Sequence, residues 1–267
     1  MKDPVPLPPR RRTPCPPPLA SSRWAPARGR SPGTGPFELA AGPCTGAEAA
    51  LLLLADGRLP AGGHAHSGGL EPTVAAGGVH DVASLEDFLR GRAATSGTVA
   101  AAFAAAACAS LTRGDLAALG ALDAELDART PSPALRATSR KLGRQLLRGM
   151  RVIRSHPCWD QLGAGPHHPV VLGAACAVSG LPPRAAALAA VHDAVAGPAT
   201  AAVRLLGLDP FATHAALARL GPLLDEVAAD ADRHAAADPA DLPASSTPLL
   251  DLAAQQHATW EVRLFAS

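Results

Sequence analysis

From about Glu48 onward, apolar residues recur three and four apart, and glycines and prolines of the kind that start and stop helices interrupt them. A chain so patterned has little choice of fold class. It has no tyrosine and only 3% aromatic residues, and β-branched residues are sparse. Alanine and leucine, both strong helix formers, supply most of the apolar content. The expectation is an all-α fold, a single helical domain over residues 45–267 with about eight to ten helices and no strand.

Several helix boundaries can be placed. Ser84 with Asp87 resembles a capping box opening a helix through Leu89. Gly114-Asp115 closes one helix and caps the next, whose Leu116, Leu119, Leu122 and Leu126 share a stripe. Ser132-Pro133 is an N-cap with proline at the first helical position, and Pro169, Pro182-Pro183, Pro210 and Pro222 mark further starts. Gly197-Pro198 is expected to break or kink the helix over 184–206. Residues 236–249 read as a loop before a short C-terminal tail.

The first 44 residues differ from the rest. They hold 12 of the 27 prolines, seven Lys or Arg and two acids. Such a Pro/Arg-rich segment buries too little apolar surface to offset its ordering entropy, so 1–44 is expected to be a disordered tail.

Bulk properties narrow the function classes. A net charge of +1 commits the molecule to neither nucleic acid nor membrane. The five scattered cysteines form no CxxC pair, which fits a reducing cytoplasm better than a disulfide framework. The longest apolar runs, around Leu51 and over 98–111, fall short of the roughly 18 residues that span a bilayer.

Residues 57–71, GRLPAGGHAHSGGLE, look at first like a site. They lack the lysine of a phosphate loop and follow a helical run rather than a strand. Ser67 is not in a nucleophile-elbow context. His64 and His66 could converge on a metal only from an extended backbone, with no cysteine or carboxylate at familiar ligand spacing. The structural reading is a tight turn: Pro60 ends the exit from one helix, and Gly62 and Gly63 permit positive φ or close backbone approach. Ser67 then caps the next helix, with Glu71 in its first turn favoured by the helix dipole. The pair His167-His168 before Pro169 reads as capping or packing, and His156 with Cys158 is a second metal candidate. Along 135–154, Leu135, Leu142, Leu146 and Ile153 share one face and Arg136, Arg140, Arg144, Arg148, Arg151 and Arg154 the other. The arginine face suits either solvent or an acidic partner surface.

Taken in order, these segments resemble a known family. The stretch from Leu51 to Pro60, followed by Gly63-His-Ala-His-Ser67-Gly-Gly69-Leu-Glu71, is similar to the signature of the urease accessory protein UreF family. The likeness continues through Gly78-Val79, Leu85–Leu89, Arg136–Ser139, Gly143–Leu147, His168–Gly173 and Ala202–Leu205. It closes with Pro248, Asp251, His257 and Arg263-Leu264-Phe265-Ala266-Ser267, so it covers about residues 46–267. The chain departs from the pattern at Gly57, where serine is usual, and at His64, where an aromatic residue is usual. Ala258 and Ala266 stand where the family has glutamate and arginine.

The resemblance implies an all-helical, cytoplasmic, non-enzymatic assembly chaperone, usually a homodimer. It implies that the chain works with UreD (also called UreH) and the GTPase UreG in GTP-dependent loading of nickel into apo-urease. The C-terminal tail, about 250–267, would bind UreD through the family-pattern residues His257, Arg263, Leu264, Phe265 and Ser267, and an unpartnered tail is expected to be mobile. Nickel would be transient cargo and GTP the partner's ligand, with no cofactor held tightly. The alternative is a nickel-carrying protein using His64 and His66, with His66 the first residue to examine.

Overall fold

The structure, a computed structural model, describes residues 46–265, with the side chain of His64 excepted. The expected disordered segment 1–44 lies outside those residues, as do Ala266 and Ser267. Ten α-helices and no strand are found among the described residues. They are α1 (Ala47–Ala55), α2 (Leu70–Ala75), α3 (Val82–Thr112), α4 (Ala117–Ala128), α5 (Pro133–Ile153), α6 (His168–Val178), α7 (Pro183–Leu206), α8 (Pro210–Arg219), α9 (Gly221–Arg233) and α10 (Pro248–Ala258). Short 3₁₀ turns occupy Gly63–Ala65, Pro157–Gln161 and Pro239–Asp241.

The second half of α3 is the axis of the fold. Every residue from Ala101 to Leu111 is buried, and α4, α6, α7 and α9 pack around it. A helix that is apolar on all sides belongs in the middle of a bundle, and its alanines let the neighbours come close. At Gly173 of α6 a Cβ would stand 2.2 Å from the Ala104 carbonyl oxygen, so that crossing admits only glycine. The alanine-rich composition and the scarcity of bulky aromatics therefore share one cause, backbones packed at short range.

Proline-started helices appear where the sequence placed them. Ser132 accepts from Leu135 N at the start of α5, Asp115 Oδ1 accepts from Ala118 N ahead of α4, and Pro183 and Pro210 open α7 and α8. Three expectations change. The cap of α3 is Asp81, not Ser84: Asp81 Oδ1 accepts from Ser84 N at 2.8 Å and Ser84 Oγ accepts from Asp81 N at 3.1 Å. The box thus begins three residues earlier, with serine in the place usually held by glutamate. Apolar runs are also shorter than the helices that carry them. Val82–Thr112, 31 residues, and Pro183–Leu206, 24 residues, are long and apolar enough to cross a membrane by length and composition, but 72% and 56% of their apolar windows lie inside the fold.

The third change concerns Pro198. It does not break α7, which is continuous across it. A proline inside a helix withholds the N–H that would bond the carbonyl four residues back, here that of Ala194. Arg92 supplies the missing donor, with Nε 2.7 Å from Ala194 O and Nη1 2.7 Å from Gly68 O. It is delivered by a π-turn over Ala93–Gly97 within α3, a local widening common at functional positions. Burial pushes the Arg92 guanidinium down to about 10, against the opposing pull of Asp193, and it stays charged at neutral pH.

Arg92→Ala should therefore lower stability by about 2–4 kcal/mol in urea unfolding, since two carbonyls lose a charged donor. In a Pro198→Ala background the backbone itself can bond Ala194 O, so the same substitution should cost measurably less. Strictly additive effects of the two changes would contradict this account.

A socket built by residues 60–71 and occupied by the C-terminal tail

The glycine-rich stretch does not make a tight turn. It is a 56–69 connection from α1 to α2 whose glycines meet two separate demands. Gly62 has φ +88, and a Cβ there would lie 1.8 Å from Gln145 Oε1. Gly68 has φ +58, and a Cβ there would come within 3.0 Å of both Pro198 Cγ and Arg92 Nη2. Gly63 lies in the 3₁₀ turn without positive φ, and Pro60 is exposed. Ser67 is fully buried and stands two residues before the N-cap, which is Gly69; its Oγ nevertheless accepts from Glu71 N in the first turn at 3.2 Å. With the Gly68 carbonyl held by Arg92, the start of α2 is fixed from both sides.

Glu71 does more than complement a helix dipole. It is buried, and its carboxylate reaches across to the other end of the chain. Oε1 accepts from Leu264 N at 2.9 Å and Oε2 from Phe265 N at 2.9 Å. His257 Nε2 lies 3.1 Å from the same Oε2. His257 is itself fully buried, with the Trp260 ring edge-on at 4.7 Å between centroids. Phe265 joins the core, and the Arg204 guanidinium sits 5.9 Å from its ring. The same last turn of α10 is tied to α5 as well, since Gln255 Oε1 accepts from Ser132 Oγ and Ala134 N at the start of that helix.

The family-pattern tail residues therefore divide into two groups. His257 and Phe265 face inward and are used by the protein itself, whereas Leu264 is 71% exposed and its neighbour Val262 83%. Arg263 is exposed, and Ser267 lies outside the described residues. The expectation of a loose tail is corrected up to Phe265: two backbone donors on a buried carboxylate and a buried ring hold it.

The arginine face of α5 divides similarly. Arg140 is paired with Asp127 (2.7 Å) and Asp123 (3.1 Å) and also donates to Gly165 O. Arg136 donates to the carbonyls of Thr130 and Pro131, Arg151 to Trp159 O and Arg154 to Val178 O. Among the described residues, no hydrogen bond or ion pair engages Arg144 or Arg148, and both are exposed. On the arginine face that suits an acidic partner surface, Arg140 already has its fork filled, whereas Arg144 and Arg148 have theirs open.

Beside Arg140, His167 is fully buried at the start of α6. Its Nδ1 is 2.9 Å from Ser139 Oγ, its Nε2 is 3.0 Å from Asp127 Oδ1, and its backbone N donates to Asp123 Oδ1 at 2.7 Å. Of the capping or packing role expected of the pair 167–168, His167 shows the packing: it occupies the N-cap position of α6 with its ring buried and without a side-chain cap hydrogen bond. The Arg140 hydrogen bond holds the Asp127 carboxyl below the usual carboxylate range, aided by His167.

Among the described residues no group of three or more His, Cys, Asp or Glu is placed to hold an ion, and the side chain of His64, half of the first metal candidate, lies outside them. His156 Nδ1 accepts from Cys158 N at 3.2 Å, closing a 3₁₀ turn, and burial pushes the Cys158 thiol up to about 12. Half-buried His66 lines a cavity of about 190 Å³ with Arg92, His168, Asp193 and Asp251.

Fold and site together define an all-helical domain with a C-terminal strap seated on its own N-terminal motif. The comparisons narrow that class. The UreF family model matches residues 79–221. The chain is 50% identical to urease accessory protein UreF of Mycolicibacterium vanbaalenii over 82% of its own length and 98% of that protein's. It is 49% identical to the protein of that name from Mycobacterium sp. strain JLS, covering 81% and 97% of the two chains, and 45% identical to that of Mycobacterium tuberculosis H37Rv, covering 82% and 98%. The chain belongs to the UreF family.

Burial depresses the pKa of both His257 and His167, with Glu71 and Asp127 pulling the other way. Below their ordinary value of 6.5 the unfolded chain then binds more protons than the native one, so stability is lost as the pH is lowered. Urea midpoints should be level between pH 8 and 7 and drop from about pH 6.5 towards 5, above the range in which ordinary carboxylates titrate. A midpoint that rises over that interval would mean the histidines are charged in the native state.

Proposed function

We propose that the protein is a non-catalytic assembly factor for urease. On this reading it joins UreD (UreH) and the GTPase UreG to support GTP-dependent nickel insertion into apo-urease. Family membership supports the urease connection. The observation that carries the protein-binding role is the docked tail, which turns His257 and Phe265 inward and leaves Val262 and Leu264 exposed on a fixed backbone. Exposed apolar side chains on an ordered segment are what a protein partner can cover without first ordering the chain.

UreD is the partner assigned to the tail. Arg144 and Arg148, exposed on α5, suit carboxylates of a second partner surface, the acidic one expected from the sequence. The protein is taken to act in the cytoplasm, as a homodimer, without nucleic acid or membrane. Nickel is cargo passing through the complex, and GTP is bound by UreG. The nickel-carrying alternative would require His64 and His66 to recruit further ligands, and no observation favours it over assembly.

In calorimetry with UreD, Leu264→Asp should weaken binding at least about tenfold, the loss of one well-buried apolar contact. Removing residues 259–267 should abolish binding. Both variants should retain their helical circular dichroism, and undiminished binding by the truncated protein would contradict the reading.

A further inference from the structure

We infer that Glu71 is the positioning residue for the tail: its carboxylate sets which tail side chains face the partner. The inference rests on the tail reading above and goes beyond it by naming what makes the tail competent. Leu264 and Phe265 lie in a bend whose two successive N–H groups converge on one acceptor, so which side chain turns inward depends on where that bend is pinned. The pin is a single group. Glu71 Oε1 holds Leu264 N and Oε2 holds Phe265 N, each at 2.9 Å, which places Phe265 in the core and Leu264 outside it.

The carboxylate is itself built to receive two amides. Ser67 Oγ accepts from the Glu71 amide, Arg92 fixes the Gly68 carbonyl, and His257 Nε2 stands 3.1 Å from Oε2, so the side chain is held among polar groups and is largely buried. Hydrogen bonds to an ionised acceptor in such a place are among the stronger ones. Glutamine keeps the shape but offers one acceptor oxygen and one N–H₂ group, so it can satisfy only one of the two backbone donors. Aspartate keeps the charge but falls one methylene short.

The test uses the full chain and two readouts, amide hydrogen exchange at Leu264 and Phe265 and calorimetric affinity for UreD. In Glu71→Gln, exchange at these two amides should accelerate at least about tenfold while α3 and α6 amides keep their rates, and UreD affinity should fall as far as in Leu264→Asp. Glu71→Asp should lie between wild type and Glu71→Gln on both readouts. Wild-type exchange in Glu71→Gln overturns the inference, as does faster exchange with unchanged affinity while Leu264→Asp still binds weakly. Unchanged affinity in both Leu264→Asp and the truncated chain is the separate failure of the tail reading, and it removes the positioning role with it. Should Glu71→Gln not fold, Leu264→Pro compared with Leu264→Ala deletes one of the two N–H donors from an exposed position. Equal exchange at Phe265 and equal affinity in that pair overturn the inference; faster exchange and weaker binding in the proline variant support it.

Discussion

A carboxylate taken out of water must be met by donors, and Glu71 is met by the far end of its own chain. That requirement orders much of the molecule. Leaving Glu71 buried without Leu264 N and Phe265 N would strand a charge against His257, so the tail closes over α2 and Phe265 follows into the core. Hydrogen bonds to charged groups contribute about 1.5–3 kcal/mol each and a buried phenylalanine a similar amount. Together these are large against the stability of an ordinary domain, and they explain why a seven-residue segment without helical structure is held in place.

The donors and acceptors behind Glu71 form a line through the fold. Pro198 removes a backbone donor from α7, Arg92 replaces it, and the same guanidinium holds Gly68. Gly68 fixes the turn into α2, where Ser67 caps the amide of Glu71. Each step needs close backbone approach, which the small side chains of α3 and the glycines of the motif provide. The alanine-rich core and the polar socket are two sides of one design: thin helices leave room for an arginine and a glutamate to reach backbone atoms across element boundaries.

Local signals in the sequence were enough for the helices. Ser132-Pro133, Gly114-Asp115 and the proline starts of α7 and α8 act through neighbours within four residues, so spacing reveals them. Asp81 escaped because Ser84 is a plausible cap by composition and only the backbone geometry decides between them. Ser67 and Glu71 could be placed at the start of α2 for the same local reason. What Glu71, Arg92 and Arg140 bond to could not be read, because their partners lie 193, 102 and 13 residues away and no periodicity links them. The resemblance did pair the 63–71 motif with the 263–267 tail as two marks of one family, and the structure supplies the reason: Glu71 in one touches Leu264 and Phe265 in the other. His64 and His66 suggested chemistry by residue type alone, with no cysteine or carboxylate at familiar ligand spacing beside them in the sequence.

The central claim is that the buried Glu71 side chain holds two tail amides in the free protein. The most direct measurement is the amide proton chemical shift of Leu264 and Phe265 in the isolated chain at neutral pH. Short hydrogen bonds to a carboxylate should move both well downfield of their random-coil positions. Two random-coil shifts, in a chain whose helices are otherwise intact, would contradict the account.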